Sequence, residues 1–247
     1  MRFQLLGPLR IVGDSAMTIS APKVETLLAT LLIRANQVVS AEELIDEVWG
    51  GHPPKRGRDA LHVYISQLRK RFLGNSLQTH GQGYLLHVEA AAIDVTELHA
   101  AYAHGQAARA ADPRAALGHY TRAARLFRGP VLGGICNGHI VGAFARWAEE
   151  IRLDCLESIA NCSLQVGRHR ELIGDLAGWV DEYPMHEVFR EHLMLALHRA
   201  GRRAEALEVF QSGRRVLRDE LGLEPRESMR RLQTAILNAD LDCSLAS

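Results

Sequence analysis

The spacing of apolar residues changes character along this chain, and the change admits only a small strand-containing part followed by helices. In residues 2–20, Phe3 and Leu5 and then Leu9 and Ile11 alternate with other residues, and Met17-Thr18-Ile19 follows a Gly-Asp turn. A period of two predicts short strands with one buried face. From Pro22 the period lengthens: Val24, Leu27, Leu28, Leu31 and Leu32 form the inner face of a helix that tolerates proline in its first turn. Ser40-Ala41-Glu42-Glu43 is a capping box that opens a second helix carrying Leu44, Ile45, Val48 and Trp49 and ending at Gly50-Gly51. After His52-Pro53-Pro54, residues 56–73 place Leu61, Ile65, Leu68 and Phe72 on one inward stripe. Two β-prone pieces then flank a glycine-containing loop within Leu77–Leu86, which reads as a hairpin.

Beyond the Ala-rich linker Glu89-Ala90-Ala91-Ala92, every long segment has helical period until the tail. Gly167-Arg168-His169-Arg170-Glu171-Leu172 and Gly201-Arg202-Arg203-Ala204-Glu205-Ala206 begin 34 residues apart, and each is followed by a helix and then Pro184 or Pro225. Thirty-four is the period of tetratricopeptide helix pairs. A weaker pair covers 95–129, and around Gly129–Gly134 the regularity fails, so a loop interrupts the array. The expected fold is an α+β winged helix-turn-helix domain over 1–88 followed by an all-α, tetratricopeptide-like domain over 94–247.

Charge matters here by position. The 29 Lys and Arg cancel the 29 Asp and Glu overall. Yet between residues 50 and 88 six basic residues (Lys55, Arg56, Arg58, Arg69, Lys70, Arg71) face one acid, Asp59. If the Leu61 stripe is buried, then at 100° per residue Asp59, Val63, Ser66 and Lys70 point outward, with His62, Arg69 and Arg58 on one flank and Arg71 on the other. A basic-faced helix after two others and before a hairpin is the order of a winged helix-turn-helix, whose third helix fits the major groove of DNA. A solvated surface face is the ordinary fate of such a charge run, so it is the agreement of helix, hairpin and charge that points to DNA.

Other chemistry finds little support. No phosphate-binding loop, Gly-x-Ser-x-Gly or His-Glu-x-x-His motif is present, so neither an enzyme nor a cofactor is expected. His186, His192 and His198 stand six apart, which keeps them off a common helix face, and no metal site is expected there. The four cysteines lack a Cys-x-x-Cys spacing, and Cys155 and Cys162 share a helix side as core thiols would. Trp147 and Trp179 read as packing residues. With no cleavable leader and no membrane-length apolar run, the expectation is a soluble cytoplasmic protein.

Residues 2–88 resemble the DNA-binding domain of OmpR/PhoB-type regulators in Lys23, Val39-Ser40 before Leu44-Ile45 and Trp49-Gly50, Val63-Tyr64-Ile65-Ser66-Gln67-Leu68-Arg69-Lys70, and the wing Thr79-His80-Gly81-Gln82-Gly83-Tyr84. Residues 94–240, with Arg218-Asp219-Glu220-Leu221-Gly222-Leu223-Glu224-Pro225, resemble a bacterial transcriptional activation domain. The whole resembles a short member of the Streptomyces antibiotic regulatory protein (SARP) family. The resemblance implies an activator that binds direct repeats in promoter DNA, as a homodimer, and recruits RNA polymerase through its sigma or alpha subunits to a secondary-metabolite cluster. By the same resemblance Arg58, His62, Ser66, Arg69 and Lys70 face bases and phosphates, Lys55, Arg56 and Arg71 flank them, and His80 and Gln82 of the wing approach the minor groove. Tyr84 is expected in the core, and the Gly50–Pro54 loop faces the polymerase. Two departures stand out: that loop lacks an acid after Trp49-Gly50, and Asp59 faces outward. No receiver segment stands before the first strand, so no phosphorylation switch is expected. The competing reading is a helical-repeat adaptor that touches no DNA.

Overall fold

The computed structural model describes residues 1–13, 16–17, 19, 21–135 and 137–238. They form two compact units that interleave along the chain: Met1–Ala103 with Arg122–Leu153, and His104–Thr121 with Asp154 onward.

The first unit opens with a three-stranded antiparallel sheet, β1 (Arg2–Gln4), β2 (Arg10–Val12) and β3 (Ala16–Met17), in that order, with Phe3 opposite Ile11. Of the expected Met17-Thr18-Ile19 strand and its turn, Asp14 and Thr18 lie outside the described residues. Helix α1 (Pro22–Ile33) buries Val24, Leu27, Leu28, Leu31 and Leu32, as its spacing predicts. Helix α2 (Ala41–Trp49) starts at Ser40, whose hydroxyl accepts the Glu43 amide at 3.1 Å, and ends where Gly50 turns left-handed at φ 58°. Only half of the capping box forms: the Glu43 carboxylate meets the Ser40 hydroxyl at 3.5 Å and does not reach back to its amide. Ser40 also closes a strand the sequence analysis did not anticipate, β4 (Val38–Ser40). It pairs with β6 (Gly83–Leu86), which also pairs with β5 (Leu77–His80), giving the order β4-β6-β5. A β-carbon on Gly83 would run into the Val39 carbonyl, so only glycine lets β4 and β6 approach.

Helix α3 (Gly57–Leu68) continues into a π-type turn, Arg69–Leu73. Leu61, Ile65 and Leu68 are buried, but the next inward residue is Leu73, and Phe72 is only half-buried. The expected stripe is thereby corrected in its last member. A π-type turn spends one more residue than an α-turn, so the position five after Leu68 takes the place its neighbour would have held.

Two acidic side chains lie almost entirely out of water in this unit, Glu47 at 4% and Asp94 at 6% exposure. Glu47 projects from α2, and its two carboxylate oxygens accept from the amides of Ile140 (2.7 Å) and Val141 (3.2 Å) at the start of α6 (His139–Gln165). Those amides have no acceptor within their own helix, and the carboxylate supplies one while meeting the positive end of the helix dipole. Asp94 begins α4 (Asp94–Ala108) and accepts from Leu5 (2.9 and 3.0 Å) and Leu6 (3.1 Å), with the Arg128 guanidinium 3.8 Å away. Burial pushes its carboxyl up, and the two amides and Arg128 oppose that.

The second unit is helical throughout its described residues. It takes in the end of α4, most of α5 (Pro113–Ala124), α6 from Asp154, and then α7 (His169–Glu182), α8 (Glu187–Arg199), α9 (Arg203–Leu221) and α10 (Glu227–Asn238). Helices α7 and α9 start 34 residues apart, and Gly167 and Gly201 before them share a left-handed conformation, φ 78° and 79°. The anticipated break in regularity is a short 3-10 turn at Val131–Gly134, which belongs to the first unit. Cys155 and Cys162 are free and buried on α6, and burial drives the Cys155 thiol up to about 12. Cys136 and Cys243 lie outside the described residues. His186 meets Glu157 at 3.3 Å and His192 meets Asn161 at 3.0 Å, and no metal-binding group of three occurs among the described residues. No helix of the described residues is long and apolar enough to cross a membrane.

Replacing Glu47 by Ala is expected to leave the first amides of α6 buried and unmatched, lowering stability by about 1–3 kcal/mol in chemical denaturation. His192 gives a pH dependence. Burial holds its folded-state pKa below the ordinary 6.5, so the unfolded chain takes up a proton that the folded chain refuses. Stability should therefore fall as pH drops below about 6.5, and the fall should be shallower in His192→Gln.

Candidate nucleic-acid interface

The face that the sequence analysis turned outward is outward. Asp59, Val63, Ser66 and Lys70 are exposed along one side of α3, as are Arg58, His62 and Arg71 on its flanks. Leu61, Ile65 and Leu68 behind them pack to under 2% exposure, which fixes the rotation of the helix and hence the direction of each polar residue. At the amino end, Lys55 and Arg56 are exposed in the loop before α3, and Gly57 packs against Pro53 and Ile45. The helix starts at Arg56 without a side-chain cap. The β5–β6 hairpin turns over Gly81, at φ 59°, and presents His80 and Gln82 to solvent. All ten predicted residues thus belong to one unit, on the helix, its preceding loop and the neighbouring wing.

Their bonding divides them. Arg69 is half-buried: its Nε donates to the Leu77 carbonyl and its Nη2 to the Thr79 hydroxyl, both at 2.8 Å, while the guanidinium lies 6.0 Å from the Tyr84 ring centre. It staples the end of α3 to the wing. Tyr84 is buried, as expected, and its phenol is raised by desolvation, with Arg69 opposing. His62 sets its ring edge-on to Tyr84 at 6.4 Å. Arg58 forms an exposed ion pair with Glu42 of α2, whose carboxyl is held low by its own backbone amide first and by Arg58 second. Arg71 lies over the Phe72 ring at 5.6 Å. Lys55, Arg56 and Lys70 have no ion pair among the described residues, and neither does Asp59. The readily available positive charge is therefore concentrated at the two ends of α3.

Beneath the loop between α2 and α3, Trp49 stacks on Tyr64 with ring centres 5.8 Å apart and planes 13° from parallel, and the Lys23 ammonium lies 5.4 Å over the indole. This layer carries the loop, whose Gly50 and Gly51 are both left-handed and whose His52, Pro53 and Pro54 are exposed. The structural role of Arg69 escaped the sequence analysis, because a basic run looks alike whether it is solvated or bonded. Glu47 did leave a trace: it occupies the same face as Leu44 and Val48, where an unpaired charge could not stay.

Two family descriptions account for most of the chain, "Transcriptional regulatory protein, C terminal" over residues 18–86 and "Bacterial transcriptional activator domain" over 93–237. Regulatory protein DnrI of Streptomyces peucetius is 34% identical over 97% of this chain and 93% of its own length. Regulatory protein AfsR of Streptomyces griseus is 36% identical over 97% of this chain, which spans only 25% of that longer protein. The structure of Mycobacterium tuberculosis EmbR in complex with a low-affinity phosphopeptide superimposes with a TM-score of 0.84 at 30% identity, covering 96% of this chain and 65% of that one.

The division of labour is open to measurement. Arg69→Ala should lower the melting temperature, a loss of about 1–3 kcal/mol for two bonds from a charged donor, whereas Lys70→Ala should leave it unchanged.

Proposed function

The chain belongs to the SARP family of transcriptional regulators, and we propose that it activates transcription by reading duplex DNA with α3 while the β5–β6 wing rests on the adjoining backbone or minor groove. The observation that carries this is the outer side of α3: exposed along its length, braced from behind by Leu61, Ile65 and Leu68, and cationic at both ends. A helix of this kind fits the major groove, with Lys55 and Arg56 at one end and Lys70 at the other set to hold phosphates. The uncapped start of α3 leaves backbone amides suited to one more phosphate oxygen. Ser66, His62 and the outer atoms of Arg58 face the bases, and His80 and Gln82 face the neighbouring groove.

In this reading residues 1–88 bind direct repeats in a promoter, the protein acts as a homodimer there, and residues 94–247 engage RNA polymerase together with the Gly50–Pro54 loop. The genes controlled are those of an antibiotic or other secondary-metabolite cluster, in keeping with the family. Regulation of this kind needs neither catalysis nor a cofactor, and it places the protein in the cytoplasm. Asp59 repels phosphate unless it accepts from a cytosine amino group, so it contributes to sequence choice more than to affinity.

Footprinting on the protein's own chromosomal neighbourhood, with scrambled duplexes as competitors, tests the proposal. A protected repeat that scrambled DNA cannot compete away supports it, and indifference to sequence favours the adaptor reading. Lys70→Ala should weaken binding about equally on all sequences and reduce the slope of log affinity against log salt by about one. Asp59→Asn should strengthen binding to scrambled DNA and narrow the gap between it and the protected repeat.

A further inference from the structure

A cavity of about 370 Å³ lies wholly within the first unit, walled by the end of α1, the segment from Val88 to Ile93, α4 and α6. Its size falls in the range of small-molecule sites, roughly 300–1,000 Å³. Three rings run along it: His99 stacks on Trp147 with ring centres 4.9 Å apart and planes 26° from parallel, and Trp147 leans on Phe144 at 5.7 Å. Ile33, Val88 and Ile93 add aliphatic surface, and no Lys, Arg, Asp or Glu lines the cavity. The surrounding chain is braced by its own bonds. Asn36 stands left-handed at φ 63°, a conformation uncommon outside glycine. Its side-chain amide donates to the Val88 carbonyl at 2.8 Å and accepts the Val88 amide at 3.2 Å, while its backbone amide donates to the Leu86 carbonyl at 2.9 Å. The Thr96 hydroxyl donates to the Ala90 carbonyl at 2.7 Å. The ring nitrogens of His99 and Trp147, by contrast, make no hydrogen bond among the described residues.

Each of these features narrows what can enter. A charged group brought against this lining would lose its water and meet no counter-ion. A flat ring system gains offset or edge-on contact with three aromatic side chains, which a globular apolar molecule does not. Walls already fixed by hydrogen bonds cost the ligand little ordering. We propose that this cavity is a binding site for an uncharged, planar, ring-containing small molecule, seated against His99, Trp147 and Phe144. The occupant bears on the end of α1, on which α2 and α3 pack, so its binding adds stability to the part of the chain that carries α3. The site does not depend on whether α3 reads DNA.

The test uses the full chain and the neutral fluorophore phenylnaphthylamine, whose emission rises in apolar surroundings. It should saturate at one probe per chain and raise the melting temperature. Its sulfonated counterpart, anilinonaphthalene sulfonate, has the same rings and a negative charge, and should bind at least about tenfold more weakly. Acridone, flat and neutral, should displace the probe, and adamantanol, apolar but globular, should not. Two substitutions put a ring into the cavity, Ala35→Phe from a half-buried position and Ala90→Phe from the exposed rim, where the fold tolerates it. Each should cut probe affinity about tenfold or more, with melting curves recorded alongside; should Ala35→Phe fail to fold, Ala90→Phe decides. The proposal is overturned if the probe does not saturate, if the sulfonate binds as well, if adamantanol displaces it as readily as acridone, or if folded Ala90→Phe binds like the unaltered chain. None of these readouts involves DNA, so their failure would leave the promoter-binding function untouched.

Discussion

A carboxylate removed from water must be surrounded by donors, and in this protein that requirement joins segments far apart in sequence. Glu47 reaches out of α2 to the first amides of α6, and Asp94 reaches from the start of α4 to Leu5 and Leu6. Neither acid leans chiefly on a basic side chain; backbone amides do the work, and these have fixed directions and cannot swing away. The orientation of α2, and through the α2–α3 packing that of the outward face of α3, is consequently tied to where α6 begins. Gly138 belongs to the same arrangement, since a β-carbon there would collide with the Glu47 carboxylate.

The apolar rhythm of the sequence was sufficient to place α1, α2 and α3 and the inner and outer sides of α3, because those depend on residues three and four apart in one segment. The hairpin was visible from its glycines, and the 34-residue recurrence from Gly167 and Gly201. What stayed hidden depends on partners distant in the chain. Strand β4 is three residues long, too short for a period to show, and it exists because β6 offers it an edge. The π-type turn at Arg69–Leu73 has no composition of its own, so Phe72 looked like the inward residue where Leu73 is. Arg58 and Arg69 counted equally with Lys70 in a tally of charge, yet one is paired with Glu42 and the other is bonded into the wing.

That sorting changes how the basic segment should be understood. Arginine, with its planar fork of donors, is used here to lock elements together, and the unpaired cations sit at the ends of the helix. Between Ala60 and Gln67 the middle of α3 carries no Lys, Arg, Asp or Glu, so its outward side is free of long cations. The overall balance of 29 basic against 29 acidic residues follows the same logic: attraction is local, and the rest of the surface does not add to it.

The widened turn after α3 does two jobs with one supernumerary residue. It rolls the chain so that Leu73 seals the interior at the moment Arg69 swings toward the wing. Were the gene to lose a single codon there, the hydropathy profile would hardly change, yet everything downstream of Leu68 would be rotated by roughly a quarter of a circle. Reading frame and fold could both survive, and the hairpin would still be dislodged from its mooring. A chain that differs by one position at this point should accordingly hold its wing at a different angle.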